Sequence, residues 1–413
     1  MPLIKPFAGL RPAPGRALDV AAPPYDVMST QEARRMVVGR PHSFLHISRP
    51  EVDLPEDTDP YASRVYAKAR ENLERMLSEG ILVRDTAPCY YVYRLTRGEH
   101  VQAGLVAAAS VEAYEAGRIK KHELTRPVKE DDRVRQIDAL DAQTGPVFLV
   151  YKSTAVIDDT LAAVSRLAPA IDIRAQDGVH HALWVVDDEA IIERLSAAYE
   201  QLGGLYVADG HHRSAAAARV AAARKAANPN HAGDESYNYF LSVIFPHDRV
   251  QILDYNRVVK GLHGLDAETF MNRLRLSFKV KSSPMPVAPA YHGEFGMYLD
   301  GAWYRLTLDT HRIPWKDPVR RLDGSLLQDN IIGPILGISD PRRDDRIGFI
   351  GGSRGLSWLA DQVDQGDMAV AFSLYPTPMK DLMAVADVGE VMPPKSTWFE
   401  PKLADGLVSY LLD

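Results

Sequence analysis

The sequence predicts an α/β protein of the α+β kind: a mixed sheet carrying a strand–turn–helix at its functional centre, with further α+β subdomains around it. Three observations predict this. The chain has 413 residues, too many for one ordinary core and enough for two to three subdomains. Strand-like apolar runs alternate with stretches whose apolar residues recur every three to four positions. One apolar run, 205–208, passes through a turn at 209–213 into an alanine-rich helix over 214–227.

Residues 1–30 hold Pro6, Gly9, Pro12, Pro14, Gly15, Pro23 and Pro24, which favours loop and short strand over helix. The stretch 22–26 is stiff, because each proline fixes its own φ and restricts its predecessor. Ser29 or Thr30 can cap a helix that Glu32 supports. Over 60–80, Tyr61, Val65, Tyr66, Ala69, Leu73, Met76 and Leu77 have helical spacing, and Gly80 stops the run. The runs 89–95 and 102–109 read as a hairpin about the turn 96–99. Residues 118–146 are unusually polar for a folded segment. A buried strand is expected at 147–151, an amphipathic helix at 190–202, and a strand at 239–246 after a loop that Asn228 and Pro229 begin. In the last third, 294–299 and 303–308 pair about Asp300 and Gly301, a helix runs over 325–335, and 392–403 is a proline-bounded loop. No repeat or low-complexity tract interrupts this order. The expected division is an N-terminal α+β subdomain (1–115), a central region carrying the chemistry (116–260) and a C-terminal α+β subdomain (261–413).

Composition narrows the function classes. With 46% hydrophobic and 25% charged residues the chain is globular in type. A net charge of −7 and a pI near 6.0, without a basic run, argue against a nucleic-acid partner. The single cysteine, Cys89, excludes a disulfide framework and a cysteine-rich zinc site, and its apolar neighbours imply a buried thiol. No window reaches the ~18–20 apolar residues of a membrane span, and the N-terminus lacks a signal-peptide core, so no membrane partner and a cytoplasmic location are expected. A homodimer is the expected assembly.

The chemistry concentrates at Asp209, Gly210, His211, His212 and Arg213, with Ser214 following. A strand feeding a helix aims unpaired N–H groups and the positive dipole end at whatever lies above the turn. Gly210 allows close backbone approach, and the histidines and Arg213 add donors, which together make a phosphate site. Asp209 is read as a cap, a metal ligand or a base. The plainer alternative is an N-cap with surface histidines. Lys121, His122, Glu123 and Arg126 form a second polar cluster that can supply an acid–base pair and anion-binding cations, or merely a solvated face. Arg133 and Arg135 are weaker cations nearby. Tyr25 and Asp26, on their rigid proline turn, form a substrate wall or a structural turn. Lys395, Ser396 and Thr397, with Lys402 beyond, offer hydroxyls and a cation, but the glycines of a Walker loop are missing. The glycines of 348–355 are a weaker anion cradle. Asp209, His211, His212 and Glu123 are also the residue types of a divalent-metal site, which would make the protein a metal-dependent hydrolase.

The chain resembles the domain of unknown function 1015 family over nearly its whole length. The stretches that carry the resemblance are Pro23 to Val27, Phe44 to Ile47, Lys121 to Glu123 with Thr125, Gly145 to Phe148, Ala208 to Arg213, Tyr255 to Arg257 and Met392 to Leu403. The 209–213 turn also resembles the phosphate-binding motif of the ParB/sulfiredoxin superfamily. Sulfiredoxin chemistry needs a cysteine in the turn, where this chain has His211 and His212. The ParB type carries a helix-turn-helix domain that this chain lacks. What the resemblance then implies is nucleotide-dependent kinase chemistry on a small hydroxylated acceptor such as free L-serine. On that reading Gly210, His211, His212, Arg213 and Ser214 hold ADP or ATP, and Mg²⁺ bridges the phosphates with Asp209 as its protein ligand. Glu123 is the first candidate for the base and His122 the second. Lys121, Arg126 or Arg133 meets the substrate carboxylate, with Tyr25, Asp26, Lys395, Ser396 and Thr397 as further substrate contacts. A nucleotide-binding regulator without turnover is the remaining alternative.

Overall fold

The structure, a computed structural model, describes residues 1–412. Its contacts divide into two compact units: Met1–Val250 together with the chain from Pro401 onward, and Gln251–Glu400.

The first unit is built on a nine-stranded mixed sheet. Its strands are β1 (Ile4–Lys5), β2 (Tyr90–Arg97), β3 (His100–Ser110), β4 (Ile119–Lys120), β5 (Val147–Tyr151), β6 (Ile171–Arg174), β7 (His180–Val186), β8 (Leu205–Asp209) and β9 (Tyr239–Pro246). They lie in the order β4-β8-β5-β9-β3-β2-β7-β6, with β1 on β3. The expected hairpin is β2–β3, closed by Gly98 and Glu99 between the paired Arg97 and His100. Every residue of β5 and β9 is buried. These strands therefore read as continuous apolar runs, as central strands covered on both faces do.

Three helices matter for the site: α1 (Ser63–Ser78), α2 (Pro127–Leu140) and α3 (His211–Ala227). α1 buries the predicted stripe of Val65, Tyr66, Ala69, Leu73 and Met76. α2 accounts for the polar segment: Pro127 opens it, and its acids pair with α3, Arg219 reaching Asp131 at 2.7 Å and Arg224 reaching Asp141, just past the helix end, at 2.6 Å. The C-terminal segment returns to this unit. Asp405 bridges Ala22, Ser409 bridges Leu10, and Tyr410–Leu411 pairs with Ala142–Gln143.

The second unit has an all-antiparallel six-stranded sheet of β10 (Tyr255–Val259), β11 (Phe278–Ser283), β12 (Glu294–Leu299), β13 (Ala302–Leu308), β14 (Ile347–Gly351) and β15 (Val370–Leu374), ordered β11-β13-β12-β15-β10-β14. The expected hairpin is β12–β13, and Asp300 and Gly301 both have positive φ, as a tight primed turn requires. Two further helices are α4 (Asp323–Leu327) and α5 (Met379–Asp387).

Two expectations differ from the structure. The border at 115/116 falls inside one unit, because β3 pairs with β9 across it, and the second unit begins at Gln251 and ends at Glu400 rather than running to the C-terminus. Local patterning cannot register pairing between strands so far apart in sequence. The helix over 325–335 is short: α4 passes into a π turn, Gln328–Ile332, because Gly333 and Pro334 cannot continue a regular helix. Among the described residues, no helix is long and apolar enough to cross a membrane.

Candidate functional site

The site is assembled by two short strands. β4 pairs with β8 in parallel, Ile119 opposite Leu205 and Lys120 opposite Tyr206. Parallel neighbours leave the sheet at the same edge, so the segment after Lys120 and the turn after Asp209 emerge side by side. At Gly210 the chain takes φ 98°, a left-handed conformation that glycine adopts without penalty. A β-carbon there would also lie 2.9 Å from Arg213 Nε. Gly210 rather than Asp209 is the N-cap of α3, and no side chain caps that helix.

The two segments interlock through the histidines. His211 Nε2 accepts the His122 backbone N–H at 3.4 Å, and His212 Nε2 accepts that of Arg126 at 3.1 Å. A ring nitrogen that accepts is unprotonated, so each neutral imidazole carries its hydrogen on Nδ1. The His122 and His211 rings meet edge to face with centroids 4.4 Å apart. His211 Nδ1 lies 3.7 Å from Glu123 Oε2, whose side chain is 54% exposed. Burial pulls His122 down to about 4, although the Asp209 charge opposes this. Burial and then the neighbouring His122 hold His211 well below its usual range. Burial and then Arg126 lower His212 as well. All three rings are therefore neutral near pH 7.

Asp209 is set against cations. Its carboxylate lies 3.3 Å from Lys402 Nζ and 3.6 Å from Arg213 Nη2. Desolvation pushes it up, but Lys402 and Arg213 outweigh that and hold it far below the usual carboxylate range. Arg213 does not reach outward. Its guanidinium folds beneath the turn, with Nη1 donating to the Pro146 carbonyl, and it remains charged despite burial because Asp26 and Asp209 face it. Beneath Arg213 lies a cavity of ≈ 30 Å³, lined by Tyr25, Ser48, Arg133, Thr144 and Asp405 among others. Burial pushes Asp405 up to about 7, with Arg213 pulling it down and Asp26 adding repulsion.

Most sequence-predicted residues of the first unit gather at or near this turn, in different postures. Ser214 is fully buried and donates to the His211 carbonyl at 3.1 Å. Arg133 holds Asp132 at 2.7 Å and stacks on the Tyr25 ring at 4.0 Å. Asp26 is exposed, and Lys121 is turned over the Tyr114 ring at 3.9 Å. Arg126 is exposed and joins the turn through its backbone. Lys395, Ser396 and Thr397 belong to the second unit. There Arg257 donates to the Lys395 carbonyl at 3.1 Å, and the Ser396 carbonyl accepts from Thr377 at 2.8 Å. Cys89 is buried. Sequence reasoning missed Asp405 and Ser48. Ser48 is one small hydroxyl among the stronger polar groups His46, Arg49 and Glu51, and the only local hint at Asp405 is a carboxylate between Leu403 and Leu407.

Among the described residues, no three of His, Cys, Asp and Glu come together as a metal-holding group. The lone pairs of His211 and His212 that would bind a transition metal are directed at backbone N–H groups.

The family model described as "Protein of unknown function (DUF1015)" matches residues 4–325. No curated protein matches the chain. Three solved structures are similar at 14% identity. A conserved hypothetical protein from Pyrococcus furiosus aligns over 73% of this chain and 93% of its own, with a TM-score of 0.34. A free serine kinase mutant in complex with AMP aligns over 71% and 86%, with a TM-score of 0.35. SbnI with a C-terminal truncation, from Staphylococcus aureus, aligns over 73% and 85%, with a TM-score of 0.37. Likenesses this distant carry no argument about the chemistry of this chain.

Proposed function

This chain belongs to the DUF1015 family of proteins of unknown function, and from that premise we propose that its 209–213 turn binds the phosphates of ADP or ATP and serves phosphoryl transfer to a small hydroxylated acceptor such as free L-serine. One observation carries the reading: the parallel β4–β8 pair sets the His122–Glu123 segment beside the N-terminal turn of α3. A helix N-terminus, with its N–H groups and dipole, favours an anion, and His212 adds a donor through Nδ1–H. Arg213 contributes positive charge from beneath the turn rather than as an outward fork. Glu123 is the exposed carboxylate beside His211, placed to take a proton from an acceptor hydroxyl. His122 and His211 are poor bases here, because burial makes them reluctant to charge.

The transfer forms a bond from the acceptor oxygen to the terminal phosphorus, breaks the phosphoanhydride and leaves AMP or ADP, with the hydroxyl proton on Glu123. Such a reaction depends on positioning and charge stabilisation. Mg²⁺ bound with the nucleotide supplies charge neutralisation. Asp209, ionised but already paired with Lys402 and Arg213, would hold the ion by exchanging Lys402 for it.

Titration of ADP, ATP, CTP and inorganic phosphate, with and without Mg²⁺, tests the binding. His212→Ala is expected to weaken nucleotide binding by about tenfold or more, the loss of one hydrogen bond to a charged group. With L-serine as acceptor, Glu123→Gln is expected to lower kcat by about 10²–10⁴ with nucleotide affinity unchanged. Binding without turnover on any hydroxy acid would turn the reading to a nucleotide-binding regulator. Full activity of Glu123→Gln would remove Glu123 from its role.

A further inference from the structure

The C-terminal segment delivers one side chain to the 209–213 turn. Of the described residues over 401–410, Lys402 alone is not buried. Its neighbours are anchored. Leu403 is buried, the Ala404 N–H donates to the Tyr93 hydroxyl at 3.2 Å, and Asp405 and Ala22 exchange backbone hydrogen bonds at 2.9 and 3.1 Å. With the backbone fixed, the Lys402 stem is the part free to move. Its Nζ rests 3.3 Å from Asp209 Oδ2, and the two side chains are 21% and 35% exposed. A partly exposed ion pair contributes little to stability, so this contact can be exchanged at small cost.

The other cations near the turn are committed elsewhere. Arg213 faces the second Asp209 oxygen at 3.6 Å and also donates to the Pro146 carbonyl from beneath. Lys121 lies over the Tyr114 ring, Lys129 donates to the Tyr61 hydroxyl at 2.9 Å, and Arg133 pairs with Asp132. Arg126 joins the turn through its backbone. Lys402 is thus a cation that both touches the carboxylate of the turn and is open to solvent. Asp209, Lys402 and Arg213 together carry one net positive charge, beside three neutral rings. An ammonium on a four-carbon stem is a compact charge that can follow a phosphate group.

We propose that Lys402 binds the terminal phosphate of the nucleotide, resting on Asp209 until the nucleotide arrives and then passing its ammonium to the phosphate oxygens. This deepens the phosphate reading of the turn and rests on it. In that reading the transferred group lies between Glu123 and the turn, so the cation held on Asp209 is beside it. There Lys402 stabilises the charge that the terminal phosphate carries through the transfer. Its departure leaves an Asp209 oxygen open to the cation that accompanies the nucleotide.

Calorimetric titration of the full chain tests the proposal, with AMP and with whichever of ADP and ATP binds wild type more tightly. Lys402→Gln is expected to weaken the longer nucleotide by about tenfold or more, the loss of one charge-assisted hydrogen bond, and to change AMP little. Lys402→Arg, which keeps the charge, should retain part of the preference for the longer nucleotide. A second measurement needs no variant: acetylation of the Lys402 amine in wild-type protein, followed by mass spectrometry. The longer nucleotide should slow it several-fold, and AMP much less. The proposal is overturned if Lys402→Gln weakens both nucleotides by the same factor, since the lysine would then only orient Asp209. It is overturned equally if Lys402→Gln binds both as wild type does, or if the longer nucleotide leaves the acetylation rate unchanged. Affinity lost in His212→Ala but kept in Lys402→Gln would sink the role of Lys402 alone, whereas a wild-type protein that binds no nucleotide would sink the phosphate reading and Lys402 with it.

Discussion

Two histidine environments, one buried in the first unit and one half-buried in the second, show what burial does with and without a close counter-charge. In the first unit His122 and His211 press edge to face, the His211 ring accepting the His122 backbone N–H, and burial drives both pKa values down. In the second unit His292 sits between two carboxylates that are each 3% exposed. Its Nδ1 lies 2.6 Å from Asp323 on α4, and its Nε2 lies 2.9 Å from Asp381 on α5. Arg321 holds the other Asp381 oxygen at 2.6 Å. The hydrogen bonds to Asp323 and Asp381 push His292 up to about 9 against the effect of burial. The lesson is that burial outweighs carboxylates that act on the ring only at a distance, as Asp209 does on His122, whereas two carboxylates in close contact outweigh it at His292. A neutral imidazole keeps one lone pair and one N–H, which suits a ligand site. A charged one between acids joins the loop before β12 to α4 and α5.

The comparison breaks most sharply at His292. His292→Ala leaves Asp323 and Asp381 buried with one cation, Arg321, which reaches Asp381 alone. Removing one partner of a buried ion pair costs about 3–5 kcal/mol, because the other charge remains uncompensated. The expected result is a large drop in the denaturant midpoint, with hydrogen-exchange protection lost first in peptides of β12, α4 and α5. Nucleotide binding at the 209–213 turn should survive under native conditions. A shift of only a few tenths of a kcal/mol would mean that the two acids take up protons instead.

A pH series sharpens the contrast, because the two regions respond with opposite sign. His292 has its folded value raised, so its contribution is fully present below the unfolded value of about 6.5 and is lost as pH rises through about 9. Allowing for solvent screening, that limb is about 2 kcal/mol. His122 has its folded value depressed to about 4, so the unfolded chain takes up the proton first, and stability falls as pH drops from about 6.5 through about 4. Exchange protection measured across pH should therefore fail first in the second unit on the alkaline side and first around 119–126 and 205–214 on the acid side. The same order at both extremes would refute the assignment.

How far these regions were legible in the sequence differs for the same physical reason. The strand and helix flanking Gly210 were readable because their signals are local: an apolar run, a glycine and then alanines. Glu123 and His122 were readable as residue types, yet their meeting with the turn depends on β4, a strand of two residues that no periodicity can announce. Asp405 and Ser48 reach the cavity only through the return of the C-terminal segment across Ala22 and the packing of the short helix Leu45–Ser48. The His292 clamp was not read at all, since its three members come from a loop and two helices, each flanked by ordinary sequence. Patterns record what neighbours in the chain do together. Sites made by distant segments leave residue types without an address.

The smallest expected effect is the finest test of the comparison. His122 is buried edge to face against His211, and the one polar contact of its ring is with the Val207 backbone, so its ring contributes shape and little polarity. His122→Phe keeps an aromatic edge against His211 and removes one group that resists charging. At mildly alkaline pH its stability should change by less than about 1 kcal/mol, as a near-isosteric change in a packed site does. On the acid side the variant should outlast wild type, because one proton that the unfolded chain would have gained is gone. His211 remains, so the acid limb should become shallower rather than vanish. Since Glu123 and His212 carry the proposed chemistry, nucleotide affinity should stay within about threefold of wild type, less than one neutral hydrogen bond. Unaltered acid sensitivity in a folded His122→Phe protein would mean that the ring already charges in the native state, and the contrast with His292 would then lie in solvent access rather than in the counter-charge.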